Sequence, residues 1–180
     1  ALKSQIDPHF MFNSLNTLSH FIEHNPGKAK EFNDHLAEVY RYLLQNKQRE
    51  LIPLDEEIQF VRNYFELLTI RYEQAIQLDI DFPQYDPADY LLPPISIQLL
   101  IENAVKHNDF SDEKPLRIAI NFNKEELQIT NQYRPKQFVR NSSRIGLQNL
   151  DERYRITVGK PIHWFVSKDL FWVSLPLIKW

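Results

Sequence analysis

The sequence predicts an α+β protein, with a helical hairpin region over residues 1–73 and an α/β sandwich over residues 74–180. Two observations carry this. Apolar residues recur at 4-3-4 spacing through the first part, as in the seam of packed helices. After Tyr72 the period switches to alternation, with Ile76, Leu78, Ile80 and Phe82 separated by polar residues as in a half-buried strand. Strands then mix with apolar helical stretches, which implies helices packed on one face of a mixed sheet. At 180 residues, 43% hydrophobic and 13% aromatic, the chain has material for one medium domain or two small ones.

The elements follow in order. Met11, Leu15, Leu18 and Ile22 form a first helical seam, and Asn25-Pro26-Gly27-Lys28 breaks it as a tight helix–helix connection. Phe32, Leu36, Val39 and Leu43 resume the same spacing, which makes an antiparallel hairpin. One hairpin cannot bury both seams, so a homodimer forming a four-helix bundle is expected. A third helix starts near Leu54, with Asp55, Glu56 and Glu57 in its first turn, where the helix dipole favours acids. Ile76 to Phe82 is a strand and Pro83 to Pro94 a loop. Ile95 to His107 is apolar at helical spacing, and Leu116 to Phe122 with Leu127 to Thr130 reads as a strand hairpin. Residues 131–144 are polar and basic, Ile145 to Ile156 is helical, and Ile162 to Val166 with Phe171 to Leu177 forms a closing hairpin.

Charge and composition narrow the function. Lys and Arg number 21 against 24 Asp and Glu, a formal charge of -3, which excludes a generally basic nucleic-acid-binding surface. There is no cysteine, hence no disulfide and no thiolate metal site, in keeping with a reducing compartment. No run of about 18 apolar residues is long enough to span a bilayer.

Three segments carry chemistry. In Gln5-Ile6-Asp7-Pro8-His9-Phe10-Met11-Phe12-Asn13, Asp7 can cap a helix and Pro8 suits its first position, which places His9 in the first turn. The dipole there disfavours imidazolium and keeps a nucleophilic nitrogen free near neutral pH. Asn13, at i+4, shares the face of His9. An isolated His-x-x-x-Asn is more often an ordinary surface or capping pair. In Ile101-Glu102-Asn103-Ala104-Val105-Lys106-His107-Asn108, polar groups interrupt an apolar helix. Asn103 can offer an oxygen to Mg²⁺, and Lys106 and His107 can donate to phosphate oxygens, or the same residues can form a satisfied core network with basic residues at a helix end. In Arg144-Ile145-Gly146-Leu147, Gly146 stands where a helix is expected to begin, which allows close backbone approach of an anionic ligand or marks an ordinary helix start.

Together, Gln-x-x-Pro-His-Phe-x-Phe-Asn-Ser-Leu-Asn, Glu-Asn-Ala-x-Lys-His and Ile-Gly-Leu-x-Asn-Leu-x-x-Arg resemble the LytS-type sensor histidine kinases from about residue 4 to the end. The resemblance implies a phosphoacceptor and dimerisation hairpin followed by a GHKL-type ATPase sandwich. It implies ATP-dependent autophosphorylation on His9 and transfer to an aspartate of a response regulator of LytTR type. Glu102 would assist catalysis, and Asn13, on the face of His9, could hydrogen-bond the ring or orient an incoming phosphate. Asn103 would contact Mg²⁺ and, with Lys106, His107, Asn131, Arg144, Gly146 and Leu147, hold Mg²⁺–ATP. Residues 132–144 would form a lid over it, with Arg134, Lys136 and Arg140 adding positive charge. The expected setting is cytoplasmic, with any membrane association through an upstream sensor region of an inner-membrane protein.

One departure favours a different reading. Asn131 stands where the family's adenine-reading aspartate is expected, and the glycines of that box are missing from Ile129-Thr130-Asn131-Gln132-Tyr133-Arg134-Pro135. Asparagine keeps an acceptor but loses the charge. The alternative is a nucleotide-gated or pseudokinase docking module with little kinase activity. A third possibility, a zinc site on His20-Phe21-Ile22-Glu23-His24, has two histidines at i, i+4 but lacks an evident third ligand.

Overall fold

A computed structural model describes residues 8–46, 48–82, 86–123, 126–136 and 142–180, with the side chains of residues 8, 9 and 142–144 outside the description. Two helices, α1 (Pro8–His24) and α2 (Pro26–Asn46), pack as a hairpin. The four-residue connection expected at 25–28 contracts to one residue. Asn25 accepts a hydrogen bond from the Lys28 N–H at 3.2 Å on its side-chain Oδ1, and Pro26 takes the first helical position, where its missing N–H costs nothing.

The second seam is buried as expected, through Phe32, Leu36, Val39 and Leu43. Of the first seam, Leu18 packs against the core and the other three residues do not. α1 faces its own chain with Phe10, Ser14, Leu18 and Phe21, and Phe10 packs against Tyr40 and Tyr64 with ring centroids 6.1 and 5.8 Å apart. Met11, Leu15 and Ile22 remain 38%, 47% and 59% exposed. Two phenylalanines on the neighbouring row of the helix bury more apolar area than the aliphatic row, so they take the inward face.

Helix α3 (Leu54–Tyr72) packs on α2 and also on the sheet region, so one continuous core runs from Phe32 to Leu177. The larger sheet has the order β2-β4-β5-β7-β6, with β2 (Ile76–Asp81), β4 (Leu116–Asn123), β5 (Glu126–Gln132), β6 (His163–Val166) and β7 (Leu170–Pro176). β2 runs parallel to β4, and the remaining pairs are antiparallel. A parallel pair needs a crossover. Here the crossover carries helix α4 (Ser96–His107), which packs on β4, β5 and helix α5 (Ser142–Thr157). Ile97 and Ile101 of α4 and Leu150 and Tyr154 of α5 are buried with Ile118, Ile120, Leu127 and Val173 of the strands. The α+β architecture read from the sequence is therefore the architecture of the molecule.

A second sheet was not foreseen. β1 (Ile52–Pro53), β3 (Tyr90–Leu92) and β8 (Ile178–Lys179) pair antiparallel in the order β1-β3-β8. β3 lies inside the stretch 83–94 read as a loop. Strands of two or three residues are too short to display alternation, and Leu92, buried beside prolines, gives no periodic signal.

Candidate functional site

α4 buries Ile97, Leu100, Ile101 and Ala104, which leaves Glu102, Asn103, Lys106 and His107 on its other flank. Gln98, one turn earlier, donates to Glu102 Oε2 at 3.2 Å. The Asn103 Nδ2 is buried and has no hydrogen-bond partner among the described residues. Gly146 lies against it: a Cβ built there would sit 3.7 Å from Asn103 Nδ2 and 3.9 Å from Oδ1. α5 starts at Ser142, so Gly146 is inside the helix and not ahead of it. The polar first turn Ser142-Ser143-Arg144 carries no apolar period, which is why the sequence places the helix start three residues too late. Leu147 is buried in the core.

His107 Nε2 is likewise buried without a partner among the described residues. Burial, reinforced by the charges of Lys106 and Lys136, holds the ring below the ordinary histidine range and therefore neutral at pH 7. The folded state then binds this proton more weakly than the unfolded chain. The neutral ring's contribution is full above pH 6.5 and is lost as pH falls through the lowered value. Urea midpoints at pH 7.5 and pH 5.0 are expected to fall further on acidification in the native chain than in His107→Gln, and equal falls would contradict this.

The end of α4 is tied to the segment after β5. Asn108 is buried; its Nδ2 donates to the Ala104 carbonyl at 2.8 Å and its Oδ1 accepts from the Arg134 N–H at 2.6 Å. The Lys136 N–H donates to the His107 carbonyl at 3.0 Å. Asn108 has no assigned role in the sequence reading, although it ends the motif that supplies the others. The expected lid over 132–144 is thus anchored at one end on α4 and is helical at the other, and residues 137–141, including Arg140, lie outside the described residues. Arg134 is committed elsewhere, donating to the carbonyls of Lys114 at 2.9 Å and Pro115 at 2.7 Å. Lys136 Nζ donates to the Val105 carbonyl at 3.2 Å and lies 5.7 Å from the centre of the Phe110 ring. The Arg144 side chain is outside the description. Asn131 is buried on the face of β5 that carries Leu127 and Ile129, and its Nδ2 donates to the Gln132 carbonyl at 2.6 Å.

α1 reaches this region. Asn13, Thr17, Arg71, Glu102, Lys106 and Lys136 line one cleft of about 280 Å³ between α1, α3 and α4. Asn13 therefore shares a cleft with Glu102 and Lys106. His9 precedes it by one turn of α1, with its side chain outside the description. A larger open groove of about 590 Å³ lies between α2 and α3; Arg49 there pairs with Glu56 at 2.6 Å, and no residue of α4 lines it.

His20 and His24 stack with ring centroids 4.3 Å apart, and His24 Nδ1 lies 2.8 Å from the His20 carbonyl. Among the described residues no group of three or more His, Cys, Asp or Glu is placed to hold a metal ion. The α4 flank suits a different ion. Magnesium takes one or two protein oxygens and keeps its other positions for water and phosphate. The Asn103 Oδ1 is such an oxygen, and its buried Nδ2, unpartnered among the described residues, is a donor suited to a phosphate oxygen, with a glycine beside both. No described helix is long and apolar enough to cross a membrane.

The family model for histidine kinases matches residues 1–76. The sensor histidine kinase/phosphatase LytS of Staphylococcus aureus is 39% identical over 107 residues, which is 59% of this chain and 18% of that protein. The match thus spans less than a fifth of the length of these curated relatives. Among solved structures, a bacterial phosphotransferase aligns with a TM-score of 0.51 at 10% identity, covering 92% of this chain and 89% of that one, which shows a shared fold. The cytoplasmic segment of histidine kinase QseC aligns with a TM-score of 0.48 at 13% identity, covering 87% of this chain and 96% of that one. By the family model and the LytS match, following the three motifs in their order, this chain is a relative of the LytS-type sensor histidine kinases.

Proposed function

We propose that this chain is the cytoplasmic core of a two-component sensor kinase, which phosphorylates itself on His9 and passes the phosphoryl group to an aspartate of a response regulator. Residues 1–73 act as the phosphoacceptor and dimerisation region and residues 74–180 as the nucleotide-binding region. The observation that supports the reading is the cleft that Asn13 of α1 shares with Glu102 and Lys106 of α4, because His9 precedes Asn13 by one turn of the same helix.

ATP, as the phosphoryl donor, supplies the γ-phosphoryl group, and Mg²⁺ offsets the charge on its phosphates. Asn103 offers its carboxamide to the bound ion, and Gly146 keeps the adjacent space free of side chain. His107 stays neutral and can donate or accept without adding charge. Lys106, exposed at the end of α4, and Lys136 bring positive charge to the cleft where negative charge shifts during transfer. Asn13 orients the His9 ring. A ring nitrogen of His9 forms the new P–N bond as the bond to ADP breaks, and the proton on the ring's other nitrogen passes to solvent. Such transfers depend chiefly on positioning and charge neutralisation. The same chemistry in reverse order of partners then moves the group from His9 to a carboxylate of the regulator, of LytTR type by the family resemblance.

The exposed Met11, Leu15 and Ile22 of α1 support pairing with a second copy, since apolar side chains left on one side of a helix are a standing cost until covered. Sedimentation as a monomer at micromolar concentrations would contradict the dimer.

Asn131 favours one rival, a docking module with little kinase activity, because it replaces a charged adenine-reading group and spends its Nδ2 on the neighbouring Gln132 carbonyl. Calorimetric titration with Mg²⁺–ATP separates the two readings. Saturable binding at one site per chain is expected of a kinase, and no measurable heat up to millimolar nucleotide would leave only the docking module.

A further inference from the structure

Glu57 is fully buried, one turn into α3, and takes no part in the proposed phosphoryl transfer. Its carboxylate accepts three hydrogen bonds from two other helices. The Tyr42 hydroxyl of α2 donates to Oε2 at 2.6 Å. The N–H of Ile95 donates to Oε2 at 2.9 Å, and the N–H of Ile97 donates to Oε1 at 3.0 Å. Ile95 is the cap residue of α4 and holds φ 66°, ψ 13°, a left-handed conformation that a β-branched side chain resists. Its own side chain cannot cap the helix, so the carboxylate of α3 does, at the positive end of the α4 dipole. α5 joins the same cluster. Arg153 donates to the Ser96 hydroxyl at 3.0 Å, Ser96 donates to the Pro93 carbonyl at 2.6 Å, and the Arg153 charge acts on Glu57. Burial raises the Glu57 carboxyl above the ordinary glutamate range, against the lowering effect of its donors and Arg153.

We infer that Glu57 is a positioning residue through which α2 sets the placement of α4 and α5, and so the approach of Asn103 to Gly146. The inference deepens the kinase reading and rests on it for the meaning of the placement. A helix moves as a rigid rod over this length: Asn103 lies eight residues beyond Ile95, roughly 12 Å along the axis. A shift of the cap therefore reaches the α4 flank with little loss. Tyr42 is the only bond from the hairpin to the carboxylate that the described residues provide, and Arg153 stands seven residues after Gly146 on the same helix. Motion of α2 against α3 thus loads the cap from one side, and α5 answers on the other.

The test uses Tyr42→Phe in the intact chain. The ring still stacks on Phe60, which it now meets at 3.9 Å between centroids and 7° between planes, so the variant is expected to fold. Amide hydrogen exchange without nucleotide reads the placement, and calorimetry with Mg²⁺–ATP reads the site. The expected result is exchange at least tenfold faster at Ile97 and in α5 around Gly146, with nucleotide affinity weakened three- to thirtyfold. Exchange altered at Ile97 alone, with Gly146 and affinity unmoved, would overturn the inference, since a local cap would do that much. Unchanged exchange throughout α4 and α5 would overturn it as well, while nucleotide binding by the native chain kept the kinase reading intact. Conversely, altered exchange in α4 and α5 in a chain whose native form binds no nucleotide would uphold the coupling and remove the kinase.

Discussion

Glu57→Ala is expected to lower the stability of the fold by about 3–5 kcal/mol, the cost of removing one partner from a buried charged cluster. The reason is what the alanine leaves behind. The N–H groups of Ile95 and Ile97 and the hydroxyl of Tyr42 lose their acceptor in a dry environment. Each such orphan costs about 1–3 kcal/mol. Ile95 also loses the bond that offsets its left-handed backbone, a conformation that costs about 1–2 kcal/mol for a residue with a Cβ. Against a total of about 5–15 kcal/mol for a domain, that loss is a large fraction. Glu56, its sequence neighbour, supplies the control. It is exposed and pairs with Arg49 at 2.6 Å on the surface, so Glu56→Ala is expected to cost less than about 1 kcal/mol. Urea unfolding followed by far-UV circular dichroism measures both. Equal losses for the two variants would remove Glu57 from its place as the cap of α4.

Asn103→Leu carries the second large effect, and its sign differs between stability and activity. The Asn103 Nδ2 is buried without a partner among the described residues. A leucine of similar volume ends that deficit, and replacing an unsatisfied polar group by an apolar one of like shape is neutral or stabilising. The melting temperature is therefore expected to hold or rise by a few degrees, as about 1 kcal/mol would give in a domain of this size. Phosphorylation is expected to fall at least a hundredfold, because the amide placed beside Gly146 no longer offers an oxygen to a bound ion. A residue kept at a cost to stability and needed for activity is the signature of a functional site. Loss of stability and full activity together would show that Asn103 serves the fold instead.

The sequence was informative where chemistry is local and blind where partners are distant. α4 with its polar flank, the hairpin of α1 and α2, and the strands from β4 to β7 all follow from periodicity within a dozen residues. Glu57 is the clearest counterexample. With Asp55 and Glu56 it reads as one of three acids on a helix dipole, yet its acceptor bonds go to N–H groups 38 and 40 residues later. No local pattern separates it from its exposed neighbours. α1 fails for another reason. The 4-3-4 row of Met11, Leu15, Leu18 and Ile22 is real, but only Leu18 of the four turns inward, and Phe10 and Phe21 on the adjacent row win the contact with α2 and α3, so periodicity found the helix and misplaced its inward face. Arg134 was a candidate for phosphate by charge alone, and the fold spends it on two carbonyls. Composition cannot reveal which cations are already engaged.

All of this converges on whether a histidine in the first turns of α1 takes a phosphoryl group from a nucleotide held against α4. Incubation of the intact chain with Mg²⁺ and γ-³²P-labelled ATP, followed by acid and alkali treatment, tests that directly. The account predicts an acid-labile, alkali-stable label that is lost in His9→Gln. A chain that binds Mg²⁺–ATP but never acquires such a label, or a label that survives in His9→Gln, would contradict it.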